Sequence, residues 1–251
     1  MIPKVIHYCW FGRGALPTLA EKCIASWRKY LPDYEIKEWN EDNFDVRSIP
    51  YTAQAYDARK YAFVSDYARF WILYHYGGLY FDVDVEVVRP MYHIIDRGNF
   101  MGCERRAGTA LANMGINPGL GLGVAPGLGL LKELIDLYGT LTFTRPDGSL
   151  NTKTIVEYTT ECLVNHGLQN IDTPQLCANI WIYPKDYFNP INPQTGRIEL
   201  SENTVSIHHY AASWVDNYSR FRGRIYHMLQ RTLGNGLTTR IRGLVGRKKK
   251  N

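Results

Sequence analysis

Two aspartates, Asp82 and Asp84, stand two residues apart in the run YGGLYFDVDVEVVRP, from Tyr76 to Pro90. Carboxylates so placed can hold a hard divalent cation. Such ions take oxygen ligands, and a magnesium-type ion typically shares one or two carboxylates with substrate phosphates. The neighbours are apolar and β-branched, and their alternation predicts a strand with Leu79, Phe81, Val83, Val85 and Val87 on one face. Tyr80, Asp82, Asp84 and Glu86 then share the other. Three carboxylates on one strand face repel and raise each other's pKa unless a cation joins them. An acidic face left to solvent is the alternative, and the motif by itself leaves both open.

The preceding segment, FVSDYARFWILYHY from Phe63 to Tyr76, is predicted as a helix with Ser65 as N-cap and Gly77 at C′. Asp66 and Arg69 lie three apart and share a face. In isolation they are a surface ion pair worth a few tenths of a kcal/mol. This helix, though, runs through Gly77-Gly78 straight into the acidic strand, so both polar pairs can face one cleft.

The elements around this core must position it. Lys4–Trp10 is predicted as a first strand, with a turn at Gly12-Arg13-Gly14. Leu19–Tyr30 has helical spacing and stops at Pro32-Asp33, Tyr34–Trp39 alternates as a second strand, and Gln54–Lys60 is helical. Strand and helix in turn argue for an α/β fold with a mostly parallel sheet. Asn99–Glu104 and Thr204–Tyr210 are further strands, and Leu130–Tyr138 and Thr154–Asn165 are amphipathic helices. Gly115–Gly129 holds six Gly and two Pro and reads as a flexible loop or several tight turns. It has neither a GK[ST] nor a GxGxxG opening a helix after a strand, which excludes P-loop and Rossmann readings.

A chain of 251 residues can build one large domain with a substantial core. Its apolar runs fall far short of the ~20 residues of a membrane span, and Met1-Ile2-Pro3-Lys4 enters a strand without a signal-like segment. Five widely spaced cysteines (Cys9, Cys23, Cys103, Cys162, Cys177) without a CxxC read as reduced, buried thiols rather than a disulfide framework or zinc site. From Arg220 to Asn251 there are ten Lys or Arg and no Asp or Glu; with a formal total of +5, the rest of the chain is net −5. Arginines at 222, 224, 231, 240 and 242 interleave with Ile225, Met228, Leu229, Leu233, Ile241 and Leu244, as in an interfacial helix on an anionic membrane. Gly234 and Gly236 interrupt it, and a solvated terminus is the alternative.

The order SD–x2–R–x7–GG–x–Y–x–D–x–D resembles the sugar- and metal-binding core of retaining glycosyltransferases with the GT-A fold. It is most similar to glycosyltransferase family 32 and the capsular-polysaccharide enzymes, with the large clostridial glucosylating toxins as remote relatives. The opening IPKVIHYCWFG is similar to that family's first strand and SIHHYAASW to its C-terminal metal-and-phosphate segment, so the likeness runs from Ile2 to Trp214. It implies a nucleotide-sugar-binding GT-A domain over residues 1–219, a single mostly parallel central sheet flanked by helices, with the basic tail at 220–251 beyond it.

Roles follow from the same resemblance. Asp82 is expected to contact donor ribose and metal, Asp84 to bind the metal directly, and Asp66 and Arg69 to contact donor-sugar hydroxyls. Tyr80 is expected to line the pocket. A late histidine completes the metal shell: His209 fits better than His208, but adjacent strand positions point opposite ways and the swap stays open. Ser213 and Trp214 would touch the diphosphate. Tyr8 and Trp10 are candidates to stack on the base, with core packing an equal reading for Trp10. Glu104 and Glu161 are further cleft carboxylates that nothing in the sequence singles out. The implied cofactor is Mn2+ or Mg2+.

The implied function is retaining transfer of a hexose from a nucleotide sugar, UDP-hexose favoured, to a glycan or lipid-linked oligosaccharide. A cytoplasmic enzyme, peripheral on the inner face of the plasma membrane and serving capsule or O-antigen synthesis, is the expected setting. A metal-dependent nucleotide hydrolase or nucleotidyltransferase is the rival, but it needs a water-activating base or phosphate loop that is not visible. A nucleic-acid-binding protein would account for the tail, yet the acidic body and aromatic core argue against it, and no nucleic-acid partner is expected.

Overall fold

A computed structural model describes residues 1–105, 114–192 and 195–211. By compactness the chain divides into two units, residues 1–190 with 200–210 and residues 191–199 with 211–251. In the second, Ile191 and Ile198 form an antiparallel bridge. The tail from Arg220, and the boundary expected there, lie outside the described residues.

The first unit opens with β1 (Val5–Cys9), α1 (Thr18–Tyr30), β2 (Glu35–Trp39), α2 (Pro50–Asp57), α3 (Tyr61–Tyr76) and β3 (Gly78–Tyr80). Then come β4 (Val85–Val87), α4 (Tyr92–Ile95), β5 (Phe100–Cys103), β6 (Ile116–Val124), α5 (Gly129–Gly139) and α6 (Ile155–Asn165). Last are β7 (Gln175–Cys177), β8 (Ile180–Tyr183), α7 (Lys185–Phe188) and β9 (Ser206–His208). Seven strands form one sheet in the order β2-β1-β3-β6-β5-β8-β7, and β4 and β9 form a separate ribbon. Five of the seven run the same way, with β6 and β7 opposed. This is the mostly parallel α/β sheet that the strand and helix order predicts.

Alternation along these strands feeds two cores, one on each side of the sheet. Ile6, Tyr8, Leu79, Phe100 and Leu120 pack with α1, α4 and β4. Cys9, Tyr80, Met101, Ile116, Leu122 and Val124 pack with α2, α3, α5 and α6 on the other side. Burial of apolar area on this scale, at about 25 cal/mol per Å2, is what holds the layers together.

Over 116–124 the structure corrects the reading of 115–129 as a flexible loop or several tight turns. Residues 116–124 form β6, the longest strand, fully buried at the centre of the sheet. Its alternating glycines are there for space. A Cβ on Gly123 would come within 2.2 Å of the Phe100 ring and 2.8 Å of Leu79. Large side chains of the flanking strands occupy what the glycines leave free, so a sequence poor in β-formers is held as a strand by its neighbours. Ser65 is not a cap either: α3 starts four residues earlier, and Ser65 Oγ–H donates to Tyr61 O. Gly77, at φ 63°, does close the helix.

One buried group ties α3 to the first strands. His7 Nδ1 accepts from Trp39 Nε1–H and its Nε2–H donates to Gly77 O, both at 3.0 Å. Both nitrogens are satisfied only in the neutral ring. Burial chiefly, with a smaller push from Lys37, lowers the imidazole from 6.5 to about 4. An unfolded His7 protonates near its ordinary value while the folded one resists until about pH 4. Its contribution is therefore complete above 6.5 and is lost as pH falls through that window, by roughly 3 kcal/mol. Melting curves between pH 7 and 4 should show a shallower acid slope for His7→Gln than for the parent. Parallel slopes would remove His7 as the source.

Candidate active site

The predicted continuous strand from Leu79 to Val87 breaks at the two aspartates. Asp82 N–H donates across to Gly119 O at 3.1 Å, and Val85 N–H donates back to Asp82 O at 2.9 Å, which closes a turn. The chain leaves the large sheet after Tyr80 and re-forms as β4 in the ribbon, where Val85 stands opposite His208. The expected common face of Tyr80, Asp82, Asp84 and Glu86 therefore does not exist. Glu86 turns away to Lys22 Nζ at 3.1 Å and His209 Nε2 at 2.8 Å.

What the turn produces is a tighter cluster. His208 Nε2 lies 3.1 Å from Asp84 Oδ1 and 3.9 Å from Asp82 Oδ2. One ligand atom from each of Asp82, Asp84 and His208 falls within 4.8 Å of the others. His208, and not the preferred His209, faces the aspartates, because β9 pairs antiparallel to β4 and directs alternate residues to opposite sides. Burial disfavours the imidazolium of His208, but Asp84 and then Asp82 outweigh it and raise its pKa above the usual value. Its Nδ1 is buried with no hydrogen-bond partner.

From α3, Arg69 reaches the same place. Its Nη2 bonds Asp66 Oδ1 at 3.0 Å, its Nε–H donates to Ser65 O at 3.1 Å, and the guanidinium sits 4.7 Å over the Tyr80 ring. Nη1 comes to 3.1 Å from Asp82 Oδ1, close as an ion pair but without a directed hydrogen bond. Tyr80 O–H also donates to Asp82 Oδ1, at 3.2 Å. Asp66 and Arg69 are buried, so this is no surface pair. Burial, and secondarily Asp82, push the Asp66 carboxyl above the usual carboxylate range while Arg69 opposes them. Arg69 and His208 thus offset part of the negative charge of the cluster from within.

Residues 17–101 match the family described as glycosyltransferase sugar-binding region containing DXD motif. That segment is similar to a glycosyltransferase sugar-binding region. Inositol phosphoceramide mannosyltransferase 1 of Schizosaccharomyces pombe is 29% identical over 116 residues, 40% of this chain and 33% of the relative. Inositol phosphoceramide mannosyltransferase 3 of the same organism is 33% identical over 102 residues, 37% of this chain and 28% of the relative. The chain thus spans a third or less of the length of these curated relatives. Among solved structures, a PaToxG glycosyltransferase has a TM-score of 0.48 at 20% identity, over 65% of this chain and 69% of that one. A glycosyltransferase involved in glycosylation of the major capsid of PBCV-1 has a TM-score of 0.46 at 12% identity, over 88% and 98%.

The matched segment contains Asp66, Arg69, Tyr80, Asp82 and Asp84, while His208 comes from outside it. Of the base-binding candidates, Tyr8 is buried, with its hydroxyl donating to Glu38 Oε2 at 2.6 Å and its ring edge-on to Trp27. Trp10 is half-buried and lines an open cavity of about 240 Å3 with Glu38, Asn40 and Glu41. Ser213 and Trp214 lie outside the described residues. Glu161 is on α6, paired with Lys153, and does not join the cluster.

Three residues that sequence reasoning passed over do join it. Gly119 of β6 packs against the turn at Asp82 so closely that a Cβ there would meet Asp82 Oδ2 at 2.0 Å. Asn117 Oδ1 accepts from Gly119 N–H, and its Nδ2–H donates to Glu104 Oε1 at 2.6 Å. Tyr210 donates to the same Glu104 oxygen at 3.2 Å and stands edge-on to His208 at 4.1 Å. The one available signal was an Asn-Pro-Gly inside a run taken for a loop.

Proposed function

We propose that this chain is a metal-dependent retaining glycosyltransferase that moves a hexose from a nucleotide sugar to a glycan acceptor. The observation that carries the reading is the convergence of Asp82, Asp84 and His208 on the buried Asp66–Arg69 pair. Two carboxylates and the imidazole Nε2 that faces them are a donor set that fits Mn2+ or Mg2+. When bound, that cation neutralises charge developing on the departing nucleoside diphosphate. The chain's own residues do the rest by positioning. Arg69 fixes Asp82 and keeps an N–H for a sugar hydroxyl, and Asp66 has an acceptor oxygen beyond the one Arg69 uses. Held away from water, such contacts orient the anomeric carbon toward the acceptor. Retention of configuration follows the resemblance of the motif.

UDP-hexoses are the first donors to test, and nucleotide-activated mannose is the second, after the mannosyltransferase relatives. The acceptor is proposed to be a bacterial surface polysaccharide, capsule or O-antigen, in lipid-linked form at the inner face of the plasma membrane. No helix among the described residues is long and apolar enough to cross a membrane. The basic tail is proposed to meet the bilayer instead, so a chain ending at Asn217 should keep donor turnover and lose salt-sensitive binding to anionic vesicles. Equal binding by both chains would refute the anchor.

The decisive measurement is release of nucleoside diphosphate from a panel of nucleotide sugars with Mn2+, with and without glycan acceptors. One preferred donor and acceptor-stimulated turnover are expected. Equal release from every donor, or turnover of free nucleoside triphosphates, would identify a hydrolase or nucleotidyltransferase. In the same assay Arg69→Lys should lose about 100-fold in kcat/KM, because an ammonium cannot hold Asp66, Asp82 and a sugar hydroxyl in one plane. Parental activity would return the pair to a purely structural role.

A further inference from the structure

A second cluster of metal-ligating side chains lies between α5 and α6 and shares no residue with the candidate active site. Glu133 comes from α5, Cys162 from the last turn of α6, and His166 is the residue that caps α6. One ligand atom from each falls within 4.8 Å of the others. Cys162 and His166 are four apart and therefore lie on one helix face. His166 Nε2 and Glu133 Oε2 are 2.7 Å apart, with side chains 41% and 51% exposed. Cys162 is buried directly behind them. The cluster opens onto a groove of about 470 Å3 whose lining includes Glu133, Asp136, Glu161 and Cys162.

We propose that Glu133, Cys162 and His166 form a second divalent-metal site of the zinc class. The chemistry of the donors selects the ion. A thiolate with an imidazole and a carboxylate suits zinc, which takes S, N and O ligands at about 2.0 to 2.3 Å, whereas Mn2+ and Mg2+ favour the all-oxygen and imidazole set at Asp82 and Asp84. The position suits a cation. The C-terminus of α6 presents the negative end of the helix dipole, and acidic side chains line the approach. Three ligands from two packed helices also pin α5 to α6, and a solvent molecule or a groove-bound group takes the fourth position. Binding exchanges the thiol proton of Cys162 for the metal and parts the Glu133–His166 pair, now 2.7 Å apart, by about 0.6 Å, to the ligand separation that a tetrahedral ion with such bond lengths requires. Two of the other thiols, Cys103 and Cys177, point their sulfurs at backbone carbonyls instead.

Cobalt distinguishes this site from the first, because only a thiolate ligand gives an intense near-ultraviolet charge-transfer band. Reduced full-length protein titrated with Co2+ alone should show that band at one equivalent, displaced by Zn2+. The band should survive in Asp84→Asn and disappear in Cys162→Ser and in His166→Gln. His166 is exposed, so its variant should fold as the parent does, and circular dichroism checks this. Zn2+ should raise the Tm of Asp84→Asn, in which the first site is disabled, and leave that of Asp84→Asn combined with His166→Gln unchanged. Absence of the band in the parent, or its persistence in either cluster variant, would overturn the assignment. Failure of donor turnover in every chain would leave these readings intact, since none of them measures catalysis.

Discussion

Asp84→Asn is expected to lower Mn2+-dependent donor turnover by at least about 100-fold, the scale associated with removing one group that stabilises developing charge. The substitution keeps side-chain volume and removes one negative charge. Asp84 Oδ1 is the oxygen nearest His208 Nε2, so the change also withdraws the main group that favours the imidazolium. On strand-face reasoning alone, removing a like charge should make the metal-free protein more stable. The geometry says otherwise: Asp84 is paired with a buried histidine, and its loss should cost about 1 kcal/mol. Turnover titrated against Mn2+ and thermal melts without metal read the two effects separately. Parental turnover at low Mn2+ would remove Asp84 from the metal set, and a raised Tm would restore the repulsion argument.

Gly119→Ala is the second large effect, and it acts through a residue with no chemistry. The added methyl group would stand 2.0 Å from Asp82 Oδ2, 2.8 Å from its Cγ and 2.9 Å from Arg69 Nη1. None of these can be accepted, so Asp82 must swing out of contact with both Arg69 and His208. A loss of about 100-fold in turnover is expected, with about 1–3 kcal/mol of overpacking. Gly123→Ala is the control. It collides with Phe100 and Leu79 in the core, so it should lower Tm to a similar degree while leaving the remaining folded fraction active. If Gly119→Ala and Gly123→Ala lose activity only in proportion to stability, the glycine has no part in shaping the site.

Local chemistry carried much of this arrangement into the sequence. Asp66 and Arg69 were legible because i and i+3 positions of a helix share a face whatever that helix packs against, and Gly77 stops the helix by its own conformation. Asp82 and Asp84 were legible as a pair but not in their geometry. A period of two predicts a straight strand, and the break at Asp82 depends on Gly119 O, an acceptor supplied from another part of the chain. The choice between His208 and His209 rested on the same information, since only the register of β9 against β4 says which one turns inward. β6 was lost for a related reason. Glycine is a poor strand former alone, and what makes 116–124 a strand is the bulk of Phe100, Leu79 and Phe188 on the neighbouring elements.

The β4–β9 ribbon has a bearing on when the site comes into being. It joins residues far apart in the chain: Glu86 pairs with Ile207, and the side chains of Glu86 and His209, 123 positions apart, meet beside it. Both aspartates, with Arg69 and Asp66, leave the ribosome well before Ser206–His208 is made. A half-synthesised chain therefore carries the carboxylates without their imidazole and without the strand that ties Asp84 through His209 N–H. Such long-range closure comes late and slowly in folding. Among the described strands β9 is the last to be made, and only when it pairs with β4 does His208 meet Asp82 and Asp84.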